Sequence, residues 1–466
     1  MRLGISGTDA GWAVFAALLG MASFPPFGAW PLMPVSLVLL LHTLGKKTSS
    51  EARGIGLCYG LFFGLGTMYW FFNLFGVYAL ALVFLMAAYF GFLASLVGMT
   101  SSWPLVGRCL AIGCFAVAIE WVRGDAWYLR FPWYTPPHAL AQAPPLIAGC
   151  RWLGVYGLSF LIWSLAALSA LGRPVYALAF LMLPAAYLCL PHFALPDRTA
   201  VLVQVEDSFK VPTVLAEMPQ RFVDLVVLPE YAYPDGIEAA LHSPRGPVAV
   251  ARSSNCPVVF GTVEGQYGAP KFQNVAAVLD ERGKLVGTFP KQHPVPLMAD
   301  GLPGDRCPVF PVGDGILGIG LCYDFDGPAV AGSLTSAGAT VLLAPTGDLM
   351  SWGRVQHLNH ELLVRLRAVE NDRWVLRPTT SGQSEAIDPH GFPSAESLGI
   401  GETGTVEVQF GYRTSNVLGS RAHWLGPLSA AVTALLVSAQ AVVWIRRKSL
   451  DKRNLQPGNE KADSGT

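Results

Sequence analysis

The chain reads as a helical membrane bundle with a globular α/β domain inserted before its last span. Three observations predict this. Hydrophobic residues fill 52% of the 466 positions and charged residues only 14%, with a mean hydropathy of +0.41. A composition this apolar points to a membrane protein rather than a soluble domain. The apolarity is gathered into stretches near the roughly 17–25 residues that a bilayer helix requires, whereas residues 196–422 alternate short apolar runs with Gly, Pro and charged turns. Finally, three strand-like runs in that region each end on one reactive side chain: Asp224-Leu-Val-Val-Leu-Pro-Glu230, Leu285-Val-Gly-Thr-Phe-Pro-Lys291 and Gly315-Ile-Leu-Gly-Ile-Gly-Leu-Cys322.

In chain order, spans are drawn at 10–23, 29–44, 54–75, 77–98, 104–122, 155–171, 174–191 and 424–446. The first two are short and could dip into the bilayer rather than cross it. Arg2 before an apolar run raises a cleavable signal peptide, but further spans follow at once and an uncleaved first helix is expected. Lys46, Lys47, Arg53, Arg108 and Arg173 fall in short loops, and Arg446, Arg447, Lys448, Lys452 and Arg453 follow the last span. All lie on one side if both termini are cytoplasmic. Arg123, Arg130 and Arg151 run against this, in a long aromatic loop where the rule weakens. The expected division is helices one to seven over 1–195, an extracytoplasmic domain over 196–422, a C-terminal span over 423–448 and a disordered cytoplasmic tail over 449–466.

A net charge of zero offers no basic face for nucleic acid. The eight Cys make no disulfide framework: Cys58, Cys109, Cys114 and Cys189 lie in apolar spans as packing residues, Cys150 borders one, and Cys256 and Cys307 could be paired or free. His357 and His360 form a His-x-x-His pair without the further ligands of a metal site. Gly-x-Ser-x-Gly is absent, which argues against a serine hydrolase. Gly60 and Gly64 fit close helix packing.

The chemistry rests on the three run ends. Continuous Val/Ile/Leu runs suit strands buried on both faces, and reactive groups collect where such strands end. Glu230 beyond an apolar run is partly desolvated, which raises its pKa toward general-base work; it could equally be a turn carboxylate. Lys291, on a Pro-stiffened segment, could hold a neighbouring thiol as thiolate and donate to an oxyanion, or be a solvated loop Lys. Cys322 could be a nucleophile or a small core residue. The coincidence of all three types at strand ends in one domain favours acyl transfer through a thioester.

These residues resemble the nitrilase (carbon–nitrogen hydrolase) superfamily. Phe24-Pro-Pro-Phe-Gly-Ala-Trp-Pro31, Gly60-Leu-Phe-Phe-Gly-Leu-Gly66 with Tyr69-Trp70, Glu120-Trp-Val-Arg123 with Phe131-Pro-Trp133, and Gly154-Val-Tyr-Gly-Leu-Ser-Phe160 narrow the likeness to the apolipoprotein N-acyltransferase family. Gln356-His357, Arg367-Ala-Val-Glu370, Arg373, Ser381-Gly-Gln-Ser384 and Ile387-Asp388 extend it, so that it covers about 10 to 446. The resemblance implies an eight-helix transmembrane bundle carrying an α-β-β-α nitrilase-like sandwich on the periplasmic side of a bacterial inner membrane. It implies a ping-pong reaction without cofactor or metal, in which a phospholipid acyl chain passes to a Cys thioester and then to the N-terminal amine of a diacylglyceryl apolipoprotein. Cys322 is then the nucleophile, Glu230 the base and Lys291 the stabiliser of the intermediate, in a protein expected to act as a monomer.

The chain departs from the family in places. Val295-Pro-Leu-Met-Ala299 puts Ala where the family has a second important Glu, with Asp300 next. The family's Cys-Tyr-Glu is Cys322-Tyr323-Asp324 here, its downstream Asn-rich stretch is Pro345-Thr-Gly-Asp348, and Val203-Gln-Val-Glu-Asp-Ser208 lacks the usual Gly-Asn. Asp300 or Asp324 is expected to stand in for the second Glu, Asp324 being favoured because i and i+2 share a face on a strand. Tyr323 is a supporting candidate. Two other readings stay open: a membrane-tethered amidase or acyltransferase with another acceptor, and a non-catalytic paralogue that binds lipid.

Overall fold

The computed structural model describes residues 5–190, 195–218 and 222–454. Among the described residues, four helices are long and apolar enough to cross a membrane: Phe71–Met99, Leu105–Ala126, Cys150–Leu171 and Gly419–Ser449. Gly7–Ala22 and Leu32–Leu44 are apolar but shorter, and Ser49–Thr67 starts on a capping box between Thr48 and Glu51. Small residues let the last of these approach its neighbour, since a Cβ on Gly60 would lie 2.7 Å from the Cα of Ala87 in Ala79–Met99.

The expected span 174–191, whose last residue lies outside the described residues, is not one α-helix. It forms a tight 3-10 helix Pro174–Met182 and a short helix Ala185–Leu188. Pro174 and Pro184 each remove a backbone donor, and Pro184 sits between the two pieces. At the other end, helix continues through Asn454, into the expected tail; residues 455–466 lie outside the described residues.

The inserted domain is a sandwich of two sheets. β1 (Arg198–Gln204), β2 (Leu225–Val227), β3 (Val258–Glu264), β4 (Gln273–Leu279) and β5 (Leu285–Pro290) belong to the first. β6 (Val309–Val312), β7 (Gly315–Ile319), β8 (Val341–Leu343), β9 (Val375–Arg377) and β10 (Glu385–Ile387) form the second, and β11 (Gly404–Phe410) returns to the first. The orders are β11-β1-β2-β3-β4-β5 and β10-β9-β8-β7-β6. β1–β2–β3 and β7–β8–β9 are the parallel cores, which explains their unbroken apolar sequences. Leu202, Val227, Val259 and Phe289 meet Leu317, Leu343 and Val375 between the sheets. Val211–Ala216, Ile237–His242 and Pro247–Ser254 cover the outer face of the first sheet, while Pro328–Ser336 and Arg354–Asn371 pack on the second through Val330, Leu334, Val364 and Ala368. The order of layers is α-β-β-α.

Buried polar contacts fasten the sandwich to the membrane helices. Gly154, at φ 62°, breaks the helical path of Cys150–Leu171, a conformation that Gly adopts at little cost. The break frees the N–H of Val155, which donates to Glu370 Oε1 at 2.5 Å. Arg151, at the start of the same helix, pairs with Asp372.

Candidate active site

Glu230 lies three residues beyond β2, Lys291 directly after β5 and Cys322 three residues beyond β7. The structure brings the first two into contact: Lys291 Nζ is 2.8 Å from Glu230 Oε1. Its other carboxylate partner is Asp300, whose Oδ2 is 2.7 Å away. Lys291 is 1% exposed, and its backbone is fixed by donation to Asn274 O at 2.9 Å and acceptance from Gly304 N at 2.7 Å. Two glycines make room for Glu230: a Cβ on Gly261 would lie 2.5 Å from its Cα, and one on Gly347 would lie 2.6 Å from Oε2.

Asn274, not singled out in the sequence, ties the cluster together. Its Nδ2 donates to Glu230 Oε1 at 2.7 Å and to Asp300 Oδ1 at 2.9 Å. The available signal was a polar residue at the second position of β4, followed by an unbroken apolar run. Tyr231, next to Glu230, donates its hydroxyl to Asp300 Oδ1 at 2.7 Å, and the N–H of Val295 donates to Asp300 Oδ2 at 2.7 Å.

Asp324, favoured from sequence for contact with Lys291, has a different place. Its carboxylate accepts backbone N–H groups from Leu321 at 3.0 Å, Gln292 at 3.1 Å and His293 at 2.7 Å. It fastens the segment after Lys291 to the turn that carries Cys322. The strand argument fails because β7 ends at Ile319 and Cys322 opens a 3-10 turn at φ 48°. A positive φ on a non-Gly residue is strained by about 1–3 kcal/mol. The Cys322 N–H is held by Pro345 O at 2.9 Å. Tyr323 donates its hydroxyl to the carbonyl of Arg130, a residue of the loop before Cys150–Leu171.

The electrostatics separate the partners. Burial alone would lower the Lys291 pKa, but the Asp300 and Glu230 carboxylates raise it well above the usual ammonium range. Burial pulls Asp300 up, and Lys291 more than offsets this, so Asp300 ends below the usual carboxylate range. Glu230 is raised by burial, with Lys291 opposing and the Asp300 charge adding. Cys322 is raised well above the ordinary thiol by burial and by Glu230, against the pull of Lys291. The resting thiol therefore keeps its proton, and a base is needed to remove it. Burial lifts Asp324 to about 7.

Cys322 and Tyr323 line an apolar cleft. Phe71, Leu82 and Met86 come from the helix Phe71–Met99 and Trp70 from the turn before it, Leu129–Phe131 and Trp133 from the aromatic loop, and Val295–Met298 from the segment after Lys291. His360 lines it too, and parts company with His357. His357 Nε2 meets the carbonyl of Leu349, whereas His360 sits between Asp348 at 2.8 Å and Asp326 at 3.0 Å. Asp326 also accepts Trp133 Nε1 at 2.5 Å. Cys256 and Cys307, left open from sequence, are both free.

A family model described as the apolipoprotein N-acyltransferase N-terminal domain matches residues 16–168, and one described as carbon-nitrogen hydrolase matches 204–416. A protein of Azotobacter vinelandii named apolipoprotein N-acyltransferase is 29% identical, the match covering 82% of this chain and 87% of that one. A protein of the same name from Geobacter metallireducens is 26% identical over 94% of this chain and 95% of its own length. Among solved structures, Saccharomyces cerevisiae Nit3, of the nitrilase superfamily, is 21% identical with a TM-score of 0.38, covering 47% of this chain and 93% of that one.

Proposed function

Because the chain belongs to the apolipoprotein N-acyltransferase family, we propose that it moves an acyl chain from a membrane phospholipid, through a thioester on Cys322, to the N-terminal amine of the diacylglyceryl cysteine of apolipoproteins. The observation that carries this reading is the setting of Cys322. A buried thiol, acted on by a carboxylate and an ammonium, borders a cleft walled by membrane-helix side chains.

In the first half-reaction Glu230 takes the Cys322 proton and the thiolate sulfur bonds to the ester carbonyl carbon of the donor. Lys291 stabilises the oxyanion that develops. The carbon–oxygen ester bond then breaks, and the leaving lysophospholipid oxygen receives the proton from Glu230. In the second half-reaction the acceptor amine attacks the thioester carbonyl, loses a proton to Glu230, and forms an amide as the Cys322 thiol leaves with that proton. Asp300 holds Lys291 in place and keeps it charged, and Asp324 holds the Lys291 and Cys322 segments together.

The reading also sets the molecule in the bacterial inner membrane. Residues 1–195 and 423–448 form eight crossings, residues 196–422 form the periplasmic catalytic domain and 449–466 lie in the cytoplasm, in a monomer. The count of eight needs 174–191 as the seventh crossing, where the 3-10 helix Pro174–Met182 gains reach from its rise of about 2.0 Å per residue. A reporter fused after Arg447 should be active only as a cytoplasmic reporter, and one near Ser243 only as an exported one; the reverse contradicts the orientation. The reaction itself is tested by incubating the protein with phospholipid and a diacylglyceryl-cysteinyl peptide. N-acylated peptide and lysophospholipid should form in equal amounts. Free fatty acid without acylated peptide would mark a hydrolase instead.

A further inference from the structure

We propose that Arg130 forms a phosphate subsite of the cleft, taking the phosphodiester of the acyl-donor lipid while the fatty chain occupies the apolar wall. The inference rests on the acyl-transfer reading above and goes beyond it by assigning one half-reaction its own recognition residue.

The cleft wall is almost wholly apolar, and Arg130 and His360 are the only cationic side chains on it among the described residues. His360 is occupied by Asp348 and Asp326. Arg130 is half-buried, and its guanidinium makes no ion pair or hydrogen bond within the described residues. Asp125 lies near enough for its charge to interact with Arg130 but accepts the Tyr156 hydroxyl and makes no ion pair with the guanidinium among the described residues, and Asp326 accepts Trp133 Nε1 and faces His360. The position of Arg130 is set by the hydroxyl of Tyr323, the residue after Cys322, which donates to its carbonyl. That bond ties the Arg130 backbone to the residue after Cys322, and the Arg130 side chain lines the same cleft as the thiol, whose other walls suit hydrocarbon. A half-desolvated guanidinium prefers an anion, and phosphate matches its fork bidentately. Of the two lipid substrates, the donor carries a phosphodiester between its headgroup and its acylated glycerol, whereas a diacylglyceryl cysteine has none. Arg130 is thus placed to select the donor and to leave the acceptor unaffected.

The test compares two donors in detergent micelles: a diacyl phospholipid and the p-nitrophenyl ester of the same fatty acid, which carries no phosphate. Formation of the Cys322 acyl adduct is followed by intact mass in the parent, Arg130→Gln, Arg130→Ala and Arg130→Lys proteins at matched thermal stability. A charge-assisted contact of ordinary strength is worth a loss of about 10–100-fold. That loss is expected for Arg130→Gln and Arg130→Ala with the phospholipid, with no more than about a twofold change with the ester and partial recovery in Arg130→Lys, which keeps the charge without the fork. Unchanged acylation from the phospholipid, or equal losses with both donors, overturns the subsite and leaves the thioester chemistry standing. No adduct on the parent from either donor overturns the acyl-transfer reading and the subsite with it.

Discussion

Two buried cations of the sandwich domain each lie between two carboxylates. Lys291 bridges Glu230 and Asp300 at 2.8 and 2.7 Å, and His360 bridges Asp348 and Asp326 at 2.8 and 3.0 Å. Their connections differ. The first cluster stays inside the sandwich, cross-linked by Asn274 between the two acids. The second runs outward: Asp348 is anchored by Arg377 at 2.5 Å, and Asp326 reaches Trp133 of the membrane-side loop. The charges of Glu230 and Lys291 also act on Cys322 more strongly than those of Asp348 and Asp326. A cation held by two acids is therefore no mark of chemistry by itself. On the proposed reaction, coupling to the thiol gives the first cluster a reacting partner, and anchorage by Arg377 and Trp133 suits the second to docking the two parts of the molecule.

The largest effect that separates the clusters is expected at their cations. Lys291→Met should abolish acylation of Cys322 and, by leaving Glu230 and Asp300 unneutralised, destabilise the protein by about 3–5 kcal/mol. His360→Gln should acylate at a rate within a few-fold of the parent. Single-turnover intact-mass kinetics distinguish the two, and equal losses would erase the contrast.

A smaller contrast lies between two carboxylates. Asp300→Asn should slow acylation about 10–100-fold, the range for a group supporting a reactive centre. Asp324→Asn should act on stability instead, by about 1–3 kcal/mol for disturbed buried hydrogen bonds, at a nearly unchanged rate. Acylation kinetics beside thermal denaturation check this, and the reverse assignment would return the supporting role to Asp324.

The pH responses should differ as well. In the proposed reaction Glu230 must be ionised to accept the Cys322 proton. Since burial raises its pKa, acylation should fall on acidification already above the ordinary Glu value of about 4.3. His360 is held up at about 9, against an ordinary 6.5, by Asp348 and Asp326 despite its burial. A folded-state pKa above the unfolded one gives stability that is fully present below about 6.5 and is lost as pH rises through about 9. The thermal midpoint of the parent should fall over that window more than that of His360→Gln. Parallel curves would show that the His360 charge contributes nothing.

How far the sequence carried this picture follows from where each signal is local. The runs ending at Glu230, Lys291 and Cys322 announced strands because β-branched and aliphatic residues fill parallel cores, and the strands are there. Apolar length made four spans legible, Phe71–Met99, Leu105–Ala126, Cys150–Leu171 and Gly419–Ser449; at 174–191 composition fits a bilayer helix but Pro174 and Pro184 do not. Asp300 was underrated because its contact with Lys291 depends on the path of the Val295–Asp300 loop, which no periodicity encodes. Asp324 was overrated because strand spacing was extended past the point where the chain turns at Cys322. Asn274 and His360 gave only the weak signal of a polar residue in a buried element, and their partners come from distant segments.

The central claim is that Cys322 carries the acyl group, and intact-mass measurement after incubation with phospholipid micelles tests it most directly. The parent protein should gain the mass of one acyl chain, the adduct should map to the peptide containing Cys322, and Cys322→Ala should gain nothing. An adduct of equal yield on Cys322→Ala, or none on a folded parent protein, would contradict the account.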